Sequence, residues 1–149
     1  MKSIEKISEG AGYSAVSIGL LSNLSDYTLV FSPEVQIPGK VFVGTEVKAT
    51  GAEVSFQVFE PGSGTPFLHT HKTHEELYIF VKGSGEFQVD GQIFPIAEGS
   101  VVRVAPKSKR TLRNTGNEPL TMICVQYKAE SFGADDAHDG EILSEAIVW

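Results

Sequence analysis

The sequence predicts an all-β domain, either an antiparallel sandwich or a barrel. Segments of about five to eight residues, rich in β-branched and aromatic side chains, recur at intervals near ten residues. Gly, Pro or Asn bounds each segment, and no long amphipathic helix pattern lies between them. The pair Asp90-Gly91 separates two such segments and supplies the positive φ angles of a type I′ hairpin turn. Together these three observations favour a fold built from short antiparallel strands.

The predicted strands follow one another along the chain and are separated by turns. Residues 54–59 alternate apolar and mixed side chains with a period of two, which is typical of a strand with one buried face. A loop rich in Gly and Pro follows at residues 60–66. The pattern of residues 141–147 allows either a short helix or a late strand. The predicted strands are residues 27–31, 41–47, 54–59, 77–81, 86–89, 92–96, 101–104 and 120–127.

The chain is expected to form one domain with three parts. Its 149 residues lie within the usual size of a single domain, and no long linker, repeat or low-complexity tract divides them. We expect residues 1–40 to be a strand-containing N-terminal segment that can pack on a partner subunit. Residues 41–130 are expected to form the barrel, and residues 131–149 a tail that packs on it.

Composition and charge exclude several functional classes. Hydrophobic residues make up 41% of the chain and charged residues 21%, which is typical of a globular protein. The net charge of −7 argues against a protein that neutralises nucleic-acid phosphates and against one that binds an anionic membrane. No apolar stretch approaches membrane-spanning length, so we expect a cytoplasmic protein. The single cysteine, Cys124, cannot form an internal disulfide and is interpreted as a small buried apolar side chain.

Polar side chains are concentrated in the first half of the otherwise apolar residues 67–83. His69 and His71 are two residues apart, so on a strand they share one face with Cα atoms roughly 6 to 7 Å apart. Two imidazoles at that separation can converge on one ion about 2 Å from each nitrogen. Glu76 or Glu75 can bring a carboxylate to the same point after a short irregular step. This donor set suits Zn²⁺, Fe²⁺, Mn²⁺, Ni²⁺ or Cu²⁺ and leaves coordination positions open, although exposed histidines at this spacing often bind no ion.

The spacing of this cluster resembles the first signature of the cupins. The match begins with His69-Thr-His71, continues with Glu76 after four residues and ends with Gly83 after six more. Residues 62–64 approximately match the family's upstream glycine. The resemblance covers residues 54–127, about half of the chain. It implies a jelly roll, that is, a double-stranded β-helix barrel, with the site inside the barrel and with His69, His71 and Glu76 as metal ligands.

The second cupin signature has a counterpart with two departures. Gly99 and Asn114 stand at the family's spacing, but the signature proline position holds Ala105, and Pro106 comes one residue late. The histidine that usually provides the last metal ligand is replaced by Arg110. A guanidinium cannot coordinate a cation. Its unit charge, about 6 Å from a divalent ion, would also repel that ion by several kcal/mol at an effective dielectric constant of about 20.

Three arrangements accommodate Arg110. In the first, three protein ligands hold the metal while Arg110 swings to the mouth of the barrel and binds a substrate carboxylate or phosphate. In the second, His74 supplies the fourth ligand, because it has the strand parity of Glu76. In the third, no metal binds and Arg110 pairs with Glu76 inside the barrel, either as a structural ion pair or as an anion-recognition site.

The remaining candidates are assigned from strand parity. Tyr78 shares the face of the carboxylate ligand, so it either lines the pocket or is a core aromatic residue. Gln57 is a weaker candidate for the pocket. Glu75 is expected to face away from the site, either in solvent or at an interface, and Arg103 and Arg113 are interpreted as surface charges.

The resemblance implies two classes of function. The first is a metal-dependent isomerase, epimerase, decarboxylase or dioxygenase that binds a small organic ligand, which Arg110 would orient if it is anionic. The second is a non-catalytic protein that binds or senses a sugar or an organic acid, with or without metal. A purely structural role for the polar cluster is a third interpretation. Small cupins often pair through their outer sheets, so we also expect a homodimer, with no nucleic-acid or membrane partner.

Overall fold

β-Strands dominate the computed structural model, which describes residues 2–149. This part of the chain contains twelve strands and two short 3-10 helices, at Leu21–Asp26 and Asp136–His138. The all-β prediction is therefore confirmed. None of the helices in the described residues is long and apolar enough to cross a bilayer. The strands are β1 (Glu5–Gly10), β2 (Tyr13–Ser17), β3 (Thr28–Ser32), β4 (Val35–Pro38), β5 (Lys40–Phe42), β6 (Ala52–Phe59), β7 (His74–Lys82), β8 (Ser84–Val89), β9 (Gln92–Ala97), β10 (Val101–Val104), β11 (Arg110–Arg113) and β12 (Leu120–Lys128).

Two antiparallel sheets form the barrel. The larger has the strand order β10-β7-β12-β6-β5 and the smaller the order β11-β8-β9. Side chains from both sheets meet in one apolar core, so the sheets face each other as in a jelly roll. Two further ribbons, β1-β2 and β3-β4, lie within the N-terminal segment.

The barrel core is built from alternate residues of the inward faces. Tyr78 and Phe80 on β7 point inward with the period of two that a strand requires, and both are buried. Phe87 on β8 is wholly buried and packs edge-to-face on Tyr78, with ring centroids 4.9 Å apart. This aromatic packing forms part of the apolar core of the barrel.

The N-terminal segment packs on the outer face of this chain's own barrel. Leu24, Tyr27 and Val41 are buried together against Phe56 and Val58 on β6. These two β6 residues alternate with inward-facing ones, so the strand is covered on both faces. The segment thereby protects part of the larger sheet from solvent.

The hairpin predicted between β8 and β9 is present. Asp90 and Gly91 have φ angles of 49° and 87°, as a type I′ turn requires. Gly85, on β8, is required for another reason. A Cβ atom there would lie 2.3 Å from the carbonyl oxygen of Arg113, so only glycine allows β8 and β11 to approach this closely.

Several sequence-based boundaries were wrong. The predicted strand at residues 41–47 ends at Phe42, because the Glu53 carboxylate accepts the N–H of Gly44 at 2.7 Å and the chain turns there. Residues 141–147 form neither a helix nor a strand. Every residue from 131 to 149 is exposed, so this tail does not pack on the barrel as expected, because its apolar side chains find no partner within the described chain.

Candidate metal- and anion-binding site

The two histidines lie on an extended segment that pairs with the start of β11. The N–H of His69 donates to the carbonyl of Arg110 at 3.3 Å, and the N–H of Arg110 donates back at 3.1 Å. The N–H of His71 donates to the carbonyl of Pro106 at 2.8 Å. The segment is thus held extended, so both imidazoles point to the same side and line the cavity of the barrel.

Glu76 meets both imidazoles inside the barrel. Its Oε2 lies 3.4 Å from Nε2 of His69, and its Oε1 lies 3.2 Å from Nε2 of His71. The two imidazole rings are nearly perpendicular, with centroids 5.4 Å apart. One donor atom from each of the three residues falls within 4.8 Å of the others. The structure therefore brings together the three residues that the sequence singled out as metal ligands.

Arg110 occupies the interior rather than the mouth of the barrel. Its side chain is wholly buried, and its Nη1 donates to the carbonyls of Ser108 at 3.0 Å and Pro106 at 3.3 Å. Its Nε lies 3.3 Å from Oε2 of Glu76. The first arrangement was therefore wrong about the position of this side chain, because these carbonyls and the carboxylate hold the guanidinium inside.

His74, the possible fourth ligand, is not brought to the cluster. It is the first residue of β7, and its Nδ1 lies 3.2 Å from the hydroxyl of Thr73. The group of convergent donors contains His69, His71 and Glu76 without it. His74 does share the strand parity of Glu76, since β7 includes it and it pairs with Lys128 of β12, but parity decides only the face of the strand and not the distance to the cluster.

Two further donors hold the Glu76 carboxylate. The hydroxyl of Tyr78 donates to Oε2, and the thiol of Cys124 donates to Oε1 at 3.6 Å. Burial raises the pKa of both groups, so both keep their protons at neutral pH. Cys124 was interpreted as a simple apolar side chain. Its contact depends on the pairing of β12 with β7, which places it opposite Tyr78.

The site favours an ionised Glu76 beside a neutral imidazole. Burial alone would raise the pKa of Glu76, but hydrogen bonds from His69 and Tyr78 outweigh it and lower this pKa to about 2. Burial lowers the pKa of His71 more than the nearby carboxylate raises it. His71 is therefore neutral at neutral pH, which is the form that binds metal.

The residues fit a divalent transition metal ion. Two imidazoles and a carboxylate are the right donor types, and they converge. Nε2 of His71 is buried and makes no hydrogen bond, although Oε1 of Glu76 lies 3.2 Å away, as expected for a nitrogen that is free to coordinate an ion. The charge of Arg110 opposes a cation here, so a bound anion would make the site more favourable for metal.

A cavity of about 620 Å³ opens beside the cluster and lies between the two sheets. Gln57 and Tyr78 line it, as the sequence suggested for the pocket. Lys40, on the edge strand β5, also lines it and was not singled out from the sequence. Its position depends on the pairing of β5 with β6, for which no local pattern gives a signal.

Charges on the outer face of the barrel are paired with one another. Glu75 is buried, and its Oε2 lies 2.6 Å from Nη2 of Arg103. Arg113 pairs with Glu86 at 2.5 Å. Glu75 does face away from the site, but it is buried rather than in solvent, and Nε and Nη2 of Arg103 both contact its Oε2. Both arginines are surface charges, as expected.

Replacing Arg110 by histidine is expected to raise the affinity for a divalent transition metal at least about tenfold. The change removes a positive charge beside Glu76 and adds an imidazole donor at the position where the resemblance to the second cupin signature implies a ligand. Competition titration with a chromogenic chelator measures this affinity.

Arg113→His is the matched control, because Arg113 lies on the same strand and faces outward. Its metal affinity should equal that of the wild type. An unchanged affinity in a folded Arg110→His variant would contradict the view that Arg110 replaces a lost ligand.

Comparison with known proteins agrees with the fold. The sequence profile of the cupin domain matches residues 55–126. An uncharacterized protein of Methanocaldococcus jannaschii is 33% identical over 83 residues, which cover 56% of this chain and 62% of that protein. The oxalate-binding protein of Thermotoga maritima is 34% identical over 65 residues, which cover 44% of this chain and 53% of that protein. The matches thus span less than two thirds of either curated relative.

Solved structures extend the likeness beyond the profile. The crystal structure of a cupin protein from Bacteroides fragilis has a TM-score of 0.66 and 30% sequence identity. The alignment covers 78% of this chain and 96% of that protein. The jelly roll predicted from the two signatures is therefore confirmed, and the chain belongs to the cupin superfamily.

Proposed function

We propose that this protein binds a small carboxylate inside its barrel, beside a divalent transition metal ion held by His69, His71 and Glu76. The main observation behind the proposal is the environment of the Arg110 side chain. Its guanidinium is wholly buried and Nε lies 3.3 Å from Oε2 of Glu76, yet Nη2 has no hydrogen-bond or ion-pair partner and the side chain lines the cavity. Unpaired buried donors on a charged group cost free energy, and a carboxylate accepts such donors with matching planar geometry.

A bound anion would make it favourable for the metal ion and the Arg110 guanidinium to lie close together. A bound ion supplies positive charge that polarises a ligand oxygen. Arg110 and the ion repel each other, and a carboxylate between them offsets that repulsion. Among the relatives, the oxalate-binding protein of Thermotoga maritima is named for a ligand of this class, which supports the choice of a carboxylate over a sugar.

Binding is favoured over turnover by the side chains around the cluster. Tyr78 and Cys124 both donate to Glu76, and burial raises the pKa of both groups, so neither accepts a proton at neutral pH. Arg110 also remains charged and cannot act as a base. A metal-dependent isomerase, epimerase or dioxygenase is the second candidate, because three protein ligands leave coordination positions open.

Metal removal tests the proposal. Protein purified without a histidine tag is analysed for metals, stripped with chelator, and titrated calorimetrically with oxalate before and after reloading with Mn²⁺ or Zn²⁺. We expect the loaded protein to bind oxalate at least about tenfold more tightly than the stripped protein. The neutral diamide oxamide should bind to neither form.

Oxamide binding as tightly as oxalate would overturn the carboxylate assignment. Failure of the stripped protein to take up either ion would overturn the metal assignment alone. Consumption of oxalate or of a related keto acid by the loaded protein would favour the enzymatic candidate.

A further inference from the structure

Lys40 places a second positive charge in the cavity. On the edge strand β5, Lys40 is paired with Gln57 of β6, whose side chain is buried. Directly opposed residues of neighbouring strands point to the same face of a sheet. Both side chains accordingly line the cavity, and the ammonium of Lys40 faces the barrel interior.

The ammonium of Lys40 has no acidic partner. Among residues 2–149 no carboxylate forms an ion pair with it. Its Nζ instead lies over the ring of Phe42, 5.2 Å from the ring centroid. Burial lowers the pKa of Lys40, although the charge of Glu76 acts in the opposite direction. A partly buried cation in this position gains from any anion that enters the cavity.

Lys40 and Arg110 belong to different sheets. Lys40 lies on the edge of the larger sheet and Arg110 on the edge of the smaller one. Nε of Arg110 lies 3.3 Å from Glu76, whereas Lys40 has no contact with that carboxylate. The two cations therefore reach the cavity from different sheets.

Part of the cavity wall is apolar. Phe59 and Met122 from the larger sheet and Leu112 from the smaller sheet line the cavity and are buried. The volume of about 620 Å³ falls within the range of about 300–1,000 Å³ of pockets that hold drug-sized ligands. Oxalate, whose two carboxylates are directly bonded, would leave most of this space and the whole apolar wall uncovered.

We propose that Lys40 binds the second carboxylate of a ligand whose first carboxylate lies at Arg110. The ligand class is then a dicarboxylate with an apolar spacer, either a chain of several methylenes or an aromatic ring. This inference rests on the proposed function, because it assumes carboxylate binding at Arg110. It adds the length of the ligand and a residue that determines specificity.

A ligand series combined with variants tests this inference. Calorimetric titration compares oxalate, succinate and adipate, together with hexanoate, which has the length of adipate but one carboxylate. We expect the wild-type protein to bind adipate more tightly than oxalate. Lys40→Met, which keeps the apolar stem, should weaken adipate binding at least about tenfold and leave hexanoate binding unchanged. Lys40→Arg should keep the preference for adipate.

Lys128→Met is the matched control, because Lys128 is exposed at the end of β12 and does not line the cavity. It should bind every ligand as the wild type does. Melting temperatures verify that each variant is folded, and Lys40→Gln replaces Lys40→Met if the latter is not.

The outcomes separate this inference from the proposed function. Suppose that oxalate and hexanoate bind and that their affinities depend on Arg110, but that adipate binds no more tightly than oxalate and its affinity does not change in Lys40→Met. Only the second carboxylate position is then overturned. Equal weakening of adipate and hexanoate by Lys40→Met would also overturn it, because the effect would then not depend on a second charge. If no carboxylate binds the wild-type protein, both the proposed function and this inference fail.

Discussion

Replacing Glu76 by glutamine is expected to abolish metal binding and to lower the free energy of unfolding by about 3–5 kcal/mol. The change removes the anion that Arg110, His69 and Tyr78 all contact in the barrel interior, and leaves the buried guanidinium without an ion-pair partner. Elemental analysis measures the bound metal, and urea denaturation of the metal-free protein measures the stability.

The effect of Glu76→Gln should depend on pH. The pKa of Glu76 is about 2 in the folded protein, against 4.5 for the free side chain. Its ionised form therefore stabilises the fold by about 3 kcal/mol above pH 4.5, and this contribution is lost as the pH falls from about 4.5 toward 2. The stability difference between the wild type and the variant should shrink over that interval.

Glu75→Gln is the matched control for this prediction. Glu75 is adjacent on β7 but faces the outside of the barrel, where it pairs with the largely exposed Arg103. We expect unchanged metal content and a smaller loss of stability, because surface ion pairs contribute about 0–1 kcal/mol. A Glu76→Gln variant that keeps its full metal content would remove this carboxylate from the ligand set.

Replacing Arg110 by glutamine is expected to weaken carboxylate binding about a hundredfold, because a buried charge-assisted contact contributes about 2–5 kcal/mol. The same change should strengthen metal binding, since it removes a positive charge beside Glu76. Calorimetry with oxalate and titration with a chelator measure the two affinities separately. Effects of opposite sign distinguish a ligand-binding role from general damage to the fold.

Arg113→Gln provides the comparison for Arg110→Gln. Its side chain is largely exposed on the outward face of β11 and pairs with Glu86 there, so neither affinity should change. If Arg110→Gln lowered the metal and the carboxylate affinities together, Arg110 would be a scaffold residue that positions the loop carbonyls of Pro106 and Ser108.

The amino-acid sequence by itself was sufficient for the fold class and for the composition of the polar cluster. Strand alternation and the Asp90-Gly91 turn are local properties, since the backbone period and the φ preference of each residue do not depend on distant parts of the chain. The spacing of His69, His71 and Glu76 is also local, and the structure brings these three side chains together.

Only the tertiary structure decided where Arg110 and Lys40 lie and which groups they face. Arg110 is held inside by carbonyls of the preceding loop, and Lys40 enters the cavity because β5 pairs with β6. Cys124 meets Glu76 because β12 pairs with β7. These contacts join residues far apart in sequence, and strand pairing and packing set them. For that reason no local pattern of residues predicts them.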